Sequence, residues 1–104
     1  WHVPGGIIRH KEAAADRIRA VARLELAAEV SFDPVPIQVH EGIQPDRRDR
    51  AHHVSLLYRC QLTSALDPRR QYTPDAPRPD QWLWHDHCPE NLLAEQRVYA
   101  AYME

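Results

Sequence analysis

Trp1-His-Val-Pro-Gly-Gly-Ile-Ile-Arg-His-Lys-Glu12 opens the chain, and the reading of the fold starts from it. Pro4-Gly5-Gly6 spells a tight turn, because glycine tolerates backbone angles and close approaches that a Cβ forbids. From Lys11 to Val30 the composition shifts to alanine, leucine and arginine, all good helix formers. Within that stretch Ile18, Val21, Glu25 and Ala28 recur at three- and four-residue spacing and so share one helical face. A carboxylate inside an apolar stripe is costly unless it is paired or bound to metal. Glu25 therefore stands out on its surroundings alone. The plainer alternative is a partly exposed glutamate paired with Arg17, Arg23 or a neighbouring loop.

The turn and the helix behind it resemble the signature of the Nudix hydrolases. That signature reads Gly, five residues, Glu, seven residues, Arg-Glu, apolar, any, Glu-Glu, any, Gly, apolar. Counting from Gly6 puts its first glutamate on Glu12, its Arg-Glu pair on Ala20-Val21, its Glu-Glu pair on Leu24-Glu25 and its last glycine on Ala27. Gly6, Glu12 and Glu25 are kept, apolar Ala22 and Ala28 fit, and Trp1 and Pro4-Gly5 stand where the family has them. The losses are similar to those of the GDP-mannose mannosyl hydrolase branch, which also lacks the Arg-Glu pair and the first of the adjacent glutamates. His52-His-Val-Ser-Leu-Leu-Tyr-Arg-Cys-Gln-Leu62 resembles a strand of that branch, which opens on a histidine. One departure is Ile7, where the branch carries an arginine; Arg9 and Lys11 are the nearest replacements for that charge.

The resemblance implies an α/β (α+β) Nudix fold over residues 1–104, a mixed sheet sandwiched between helices and lacking its first strands. An edge left open there would invite pairing, so a missing N-terminal segment or a strand-exchanging homodimer is expected. The implied activity is Mg2+- or Mn2+-dependent hydrolysis of a nucleoside diphosphate derivative, a nucleotide sugar such as GDP-mannose above all, with water attacking the sugar carbon. By the same resemblance Glu25 and the Gly5 carbonyl hold the metal, and a later loop adds Asp80 and Gln81. Mg2+ takes such hard oxygen ligands and shares its shell with phosphates. His85 and His87 are the candidates for proton transfer. Glu12 is expected to orient the loop or the metal waters, its usual arginine partner being lost at Ala20.

Arg47, Arg48 and Arg50 are candidate diphosphate clamps, since a guanidinium fork matches phosphate oxygens; Arg9 and His52 join them as candidate substrate contacts. A solvated basic loop is the plainer account of the three arginines. Asp80 is otherwise the end of a turn, and His85 and His87 are otherwise surface residues. Trp82 and Trp84 either stack on a base or fill core. His85-Asp-His-Cys88, with His52-His53, also suggests zinc, though the spacing matches no common zinc signature. A rival of another class is a Nudix scaffold that binds nucleotides or proteins without catalysis, because Val21 and Leu24 replace two box glutamates. Oxygen-rich side chains of the Leu66 to Gln81 loop near Glu25 would favour hydrolysis; apolar filling would favour the silent scaffold.

A chain of 104 residues supports one modest core. A formal charge of -2 argues against nonspecific nucleic-acid binding. Cys60 and Cys88 form no spaced framework, which fits a reducing cytoplasm. No apolar run reaches a membrane-spanning length, and no signal peptide opens the chain. Val35, Ile37 and Val39 alternate with Pro36, Gln38 and His40 as in a half-buried edge strand. Val54, Leu56, Tyr58, Cys60 and Leu62 predict one apolar strand face. Leu66 to Asp80, with four prolines and no apolar periodicity, is expected to be a long connection that serves as a lid or binding loop or is disordered. Gln81 to Trp84 reads as a last short strand. From Pro89, Leu92, Leu93, Gln96, Tyr99 and Met103 lay out a closing helix.

Overall fold

The computed structural model describes residues 1–49 and 51–103 as a small α+β chain. Helix α1 (Ala14–Leu26) is followed by strands β1 (Val30–Phe32), β2 (Gln38–Ile43), β3 (His52–Leu57) and β4 (Cys60–Leu62). Two 3-10 segments follow, Pro68–Arg70 and Ala94–Tyr102. β1 pairs with β4 and β2 with β3, giving two small antiparallel sheets where the resemblance implies one mixed sheet. The strand expected to run unbroken from Val54 to Leu62 stops at Leu57 and restarts at Cys60, so its halves serve different sheets. Two compact units result: Trp1–Val30 with Leu62–Glu104, and Ser31–Gln61.

In the first unit α1 begins later than the composition implies. Lys11 is left-handed (φ 61°) and the Glu12 N–H donates to the Arg9 carbonyl, so the chain turns before it winds. Ala13 provides no side-chain cap. The helix ends because Ala27 is left-handed too (φ 49°), with its N–H donating to the Arg23 carbonyl and that of Ala28 to Ala22. Helices often stop on a left-handed residue, usually glycine; here an alanine holds it. Ala22, Ala28 and Leu92 are the buried apolar residues among those described.

The turn glycines serve a different purpose from the one their sequence suggests. Neither has a positive φ. Gly6 is required by closeness: a Cβ there would lie 2.8 Å from Val21 Cγ2 and 3.1 Å from Arg17 Cδ, both side chains of α1. Gly5 has room for a Cβ, its nearest neighbour being the Val3 carbonyl at 3.8 Å.

The later part of this unit departs from the expected strand and helix. Trp82 makes a single parallel bridge to Gln71 rather than a strand over residues 81–84. Its N–H donates to the Arg70 carbonyl, its carbonyl accepts from Tyr72, and its indole Nε1 donates to the Asp67 carbonyl at 2.8 Å. The proline-rich loop is thereby closed on itself. The closing helix winds as 3-10 over Ala94–Tyr102, with bonds such as Met103 N–H to the Ala100 carbonyl. Leu93 N–H is committed to the Trp1 carbonyl and the Gln96 side chain to Val3, so the first turn answers to the N-terminal strap.

In the second unit β2 and β3 run in register from Gln38 opposite Leu57 to Ile43 opposite His52. Asp33 Oδ1 accepts from Val35 N–H, and the segment around Pro34 and Pro36 stays outside β2. Proline lacks the donor a ladder needs. The expected apolar alternation is present, with Val39 opposite Leu56, but that face is open: Val39, Ile43 and Val54 are 63%, 64% and 63% exposed. Gly42 faces His53, whose ring occupies the space a Cβ would need. Phe32 and Tyr58 meet edge to face at 6.4 Å. No helix among the described residues is long and apolar enough to cross a membrane.

Candidate functional site

The last turn of α1 meets the opening turn and the proline-rich loop at Glu25. The backbone N–H of Gly5 donates to Glu25 Oε2 at 3.0 Å, across 20 residues of chain. The carboxylate is half-buried, and burial pushes its pKa up. The Gly5 bond and the charge of His2 pull the other way, while the negative charge of Asp80 adds to the rise. The charge of Asp80 thus lies close enough to disfavour the ionised form of Glu25.

Arg70 holds this arrangement from below. Its Nη2 donates to the Glu25 carbonyl at 2.9 Å and its Nε to the Asp80 carbonyl at 3.2 Å. One guanidinium therefore staples the C-terminal turn of α1 to the loop residue Asp80. A cation is also favoured at a helix C-terminus, where carbonyls lack partners. Asp80 is left-handed (φ 63°), a conformation that aspartate tolerates better than most residues. Gln81 Oε1 accepts from the Arg78 N–H at 2.7 Å. Asp67, Arg69, Arg70, Arg78, Pro79, Asp80 and Gln81 line an open groove of about 500 Å³.

The candidates named from sequence fall into distinct places. Gly5, Glu25 and Asp80 are brought together, with Gln81 beside Asp80 in the groove. Glu12 forms a latch: its oxygens accept from Arg17 Nε and Nη2, both at 2.8 Å, and from the Arg9 N–H at 3.0 Å. Arg17, one turn before Ala20, thus supplies the partner that the sequence appeared to have lost. These bonds hold the Glu12 carboxyl below its ordinary range, the Arg17 hydrogen bonds first. Arg9 enters through its backbone N–H as well as its charge.

His85 packs edge to face on Trp1 at 5.0 Å, as does Tyr72 at 5.1 Å, and His87 is exposed. His52 pairs with Glu41 at 2.8 Å in the hairpin unit. Arg47 and Arg48 are exposed in that same unit, Arg47 bonding to Gln44 Oε1 at 3.1 Å; Arg50 lies outside the described residues. Trp82 is half-buried and anchors the loop, whereas Trp84 is 70% exposed. Cys60 and Cys88 are free thiols. Among the described residues no three His, Cys, Asp or Glu side chains gather as a metal site, at His85-Asp-His-Cys88 or elsewhere.

Arg70, Arg78 and His2 were not legible as site residues. The first two sit in a stretch without periodicity, and only their nearness to Asp80 in sequence marks them. No family model, curated protein or solved structure matches the chain.

Proposed function

We propose that the chain is a Nudix-type hydrolase with a reduced box, acting on a nucleoside diphosphate derivative, a nucleotide sugar foremost, in the cytoplasm. The observation that carries this reading is the meeting of Glu25 with Gly5 on one side and Asp80 on the other. The charged residues that line the neighbouring groove, Asp80 among them, support it further. So does the left-handed Ala27, which stands where the signature has its last glycine.

The donor set fits Mg2+ or Mn2+ better than zinc. A half-buried carboxylate whose ionised form is disfavoured by burial and by the charge of Asp80 suits a divalent cation, and Mg2+ needs only one or two carboxylates because water and phosphate complete its shell. Glu25, Asp80 and the Gly5 carbonyl would hold it, with Gln81 alongside. When bound, the cation neutralises the diphosphate and makes it a better leaving group. Glu12 and Arg17 fix the turn against α1, and Arg70 fixes Glu25 relative to Asp80. His85 and His87 are the proton acceptors nearest in sequence to that loop.

A second reading has its own support in the thin donor set: a scaffold that binds nucleotides without turning them over. The separating experiment measures free sugar or phosphate released from a panel of nucleotide sugars and dinucleotides, with Mg2+ or EDTA, for the wild type and Glu25→Gln. Metal-dependent turnover, reduced at least about a hundred-fold by the substitution, is expected. Absence of turnover with nucleotide binding retained in both proteins would leave the silent scaffold.

A further inference from the structure

The turn that meets Glu25 is held at its two ends by different parts of the chain. At its exit, Gly6 lies so close to Val21 and Arg17 of α1 that a Cβ would collide with them. At its entry, the hold comes from a residue 93 positions away. Gln96 Oε1 accepts from the Val3 N–H, and Gln96 Nε2 donates to the Val3 carbonyl at 3.3 Å. One side-chain amide therefore engages both backbone polar groups of one residue, as a neighbouring strand does in an antiparallel ladder. Leu93 N–H donates to the Trp1 carbonyl at 2.8 Å and extends the same pairing by one step. Gln96 is half-buried, and the Trp1 ring packs on Tyr72 and His85.

We propose that Gln96 is a positioning residue for the site at Glu25, setting through Val3 and Pro4 where the Gly5 N–H and carbonyl lie. Between Val3 and Gly5 stands only Pro4. Its ring fixes one backbone torsion, and its bulk restricts the torsions of the residue before it. An orientation imposed on Val3 is therefore passed on with little slack. Gly5 depends on that constraint. A Cβ there would meet the Val3 carbonyl at an unstrained 3.8 Å, so local contacts restrain this glycine little, and its own torsions are the freest of any residue. The last link is the Gly5 N–H, which donates to Glu25 Oε2 at 3.0 Å. Hydrogen bonds weaken steeply as their angle departs from linear. A displacement of about 1 Å at a reacting centre can lower a rate about a hundred-fold. The closing 3-10 segment thereby belongs to the site without supplying a group that reacts. The consequence for catalysis rests on the proposed hydrolase, whereas the coupling of Gln96 to Gly5 does not.

The test is amide hydrogen exchange followed by NMR, with Gly5 as the reporter and Ala22, buried in α1, as the reference. Gln96→Leu removes both contacts to Val3 and is expected to speed exchange at Gly5 about tenfold while Ala22 stays unmoved. Gln96→Glu keeps an acceptor for the Val3 N–H but loses the donor, and should show part of that rise. Glu25→Gln should speed Gly5 too. The double variant Gln96→Leu with Glu25→Gln should exchange no faster than the faster single one, because both changes act on one bond. Unchanged exchange at Gly5, or a rise shared equally by Gly5 and Ala22, overturns the proposal, the second because it reports a general loss of stability. In the assay with Mg2+ and nucleotide sugars, kcat of Gln96→Leu should fall at least about tenfold with KM little changed. Selective exchange at Gly5 without turnover by any of these proteins keeps the coupling and removes the hydrolase. Turnover with kcat unmoved in Gln96→Leu keeps the hydrolase and removes the positioning role.

Discussion

The two units differ in how far their polar contacts reach along the chain. In the first, bonds join Gly5 to Glu25, Glu25 to Arg70 and Val3 to Gln96, residues 20, 45 and 93 apart. In the second, the hairpin is closed by its own ladder and by pairs such as His52 with Glu41, only 11 apart. Closing a long loop costs more entropy than closing a short one, so distant polar bonds persist where several act together. The first unit has such a set converging on Glu25. The second has local pairing and an open apolar face. Chemistry is therefore expected in the first, and the stability of each unit should respond to different substitutions.

The largest contrast is expected at the glycines. Gly6→Ala puts a Cβ against the stiff, branched Val21 side chain on α1 and should destabilise by about 1–3 kcal/mol. Gly42→Ala meets the His53 ring, but that residue is exposed and its side chain is free to swing outward, so a cost below about 1 kcal/mol is expected. Urea unfolding of both variants measures the difference. A larger loss at Gly42 would invert the comparison.

Within the first unit the two glutamates should respond to pH in opposite directions. Glu25 has its pKa raised above the ordinary 4.5, so its stabilising contribution is fully present below that value and lost as pH rises through the folded-state pKa. Glu12 has its pKa lowered, so its contribution is present above 4.5 and lost as pH falls through the folded-state value. Stability measured from pH 3 to 8 should show Glu25→Gln removing the decline on the rising side and Glu12→Gln removing the decline on the acid side. If both variants change the curve on the same side, the electrostatic account of the turn fails.

At the end of α1 a smaller gain is available. Ala27 occupies a left-handed conformation that disfavours a Cβ. Ala27→Gly should therefore raise stability, by up to about 1 kcal/mol after the greater unfolded-state freedom of glycine is counted. A loss of stability in thermal melts would show that the alanine methyl contributes packing greater than its strain.

How much of this was legible follows from the kind of interaction concerned. Helix α1 and the place of Glu25 on its half-buried face could be read because helix propensity and a 3.6-residue period are local properties. The pairing of Glu12 with Arg17 was hidden by alignment to a fixed pattern, although the two lie only five residues apart. Strand alternation put Val39 on an apolar side expected to be half-buried, yet that side is the exposed one in β2, because alternation is silent on whether a face is covered. The strand expected at Trp82 failed because its backbone closes a loop through Arg70 and Tyr72 instead of extending a sheet. Arg70 was invisible for the same reason: its partners are two carbonyls, 45 and 10 residues away, and carbonyls leave no mark in a sequence.

The smallest effect is expected on the hairpin face. Val39 and Val54 are each 63% exposed, so replacing either by threonine removes little buried surface. Threonine keeps the branched shape that strands favour. Val39→Thr and Val54→Thr should each change stability by no more than about 0.5 kcal/mol. The same hydroxyl placed at a covered position is deprived of water and costs on the order of 1–3 kcal/mol when it lacks a partner. A loss of that size at either valine, seen in urea melts at dilute protein concentration, would mean that the face is covered within one molecule. A loss that shrinks on dilution would mean that another chain covers it. Either result would end the contrast between a unit tied by long-range polar bonds and an open hairpin; near-neutrality at both positions would sustain it.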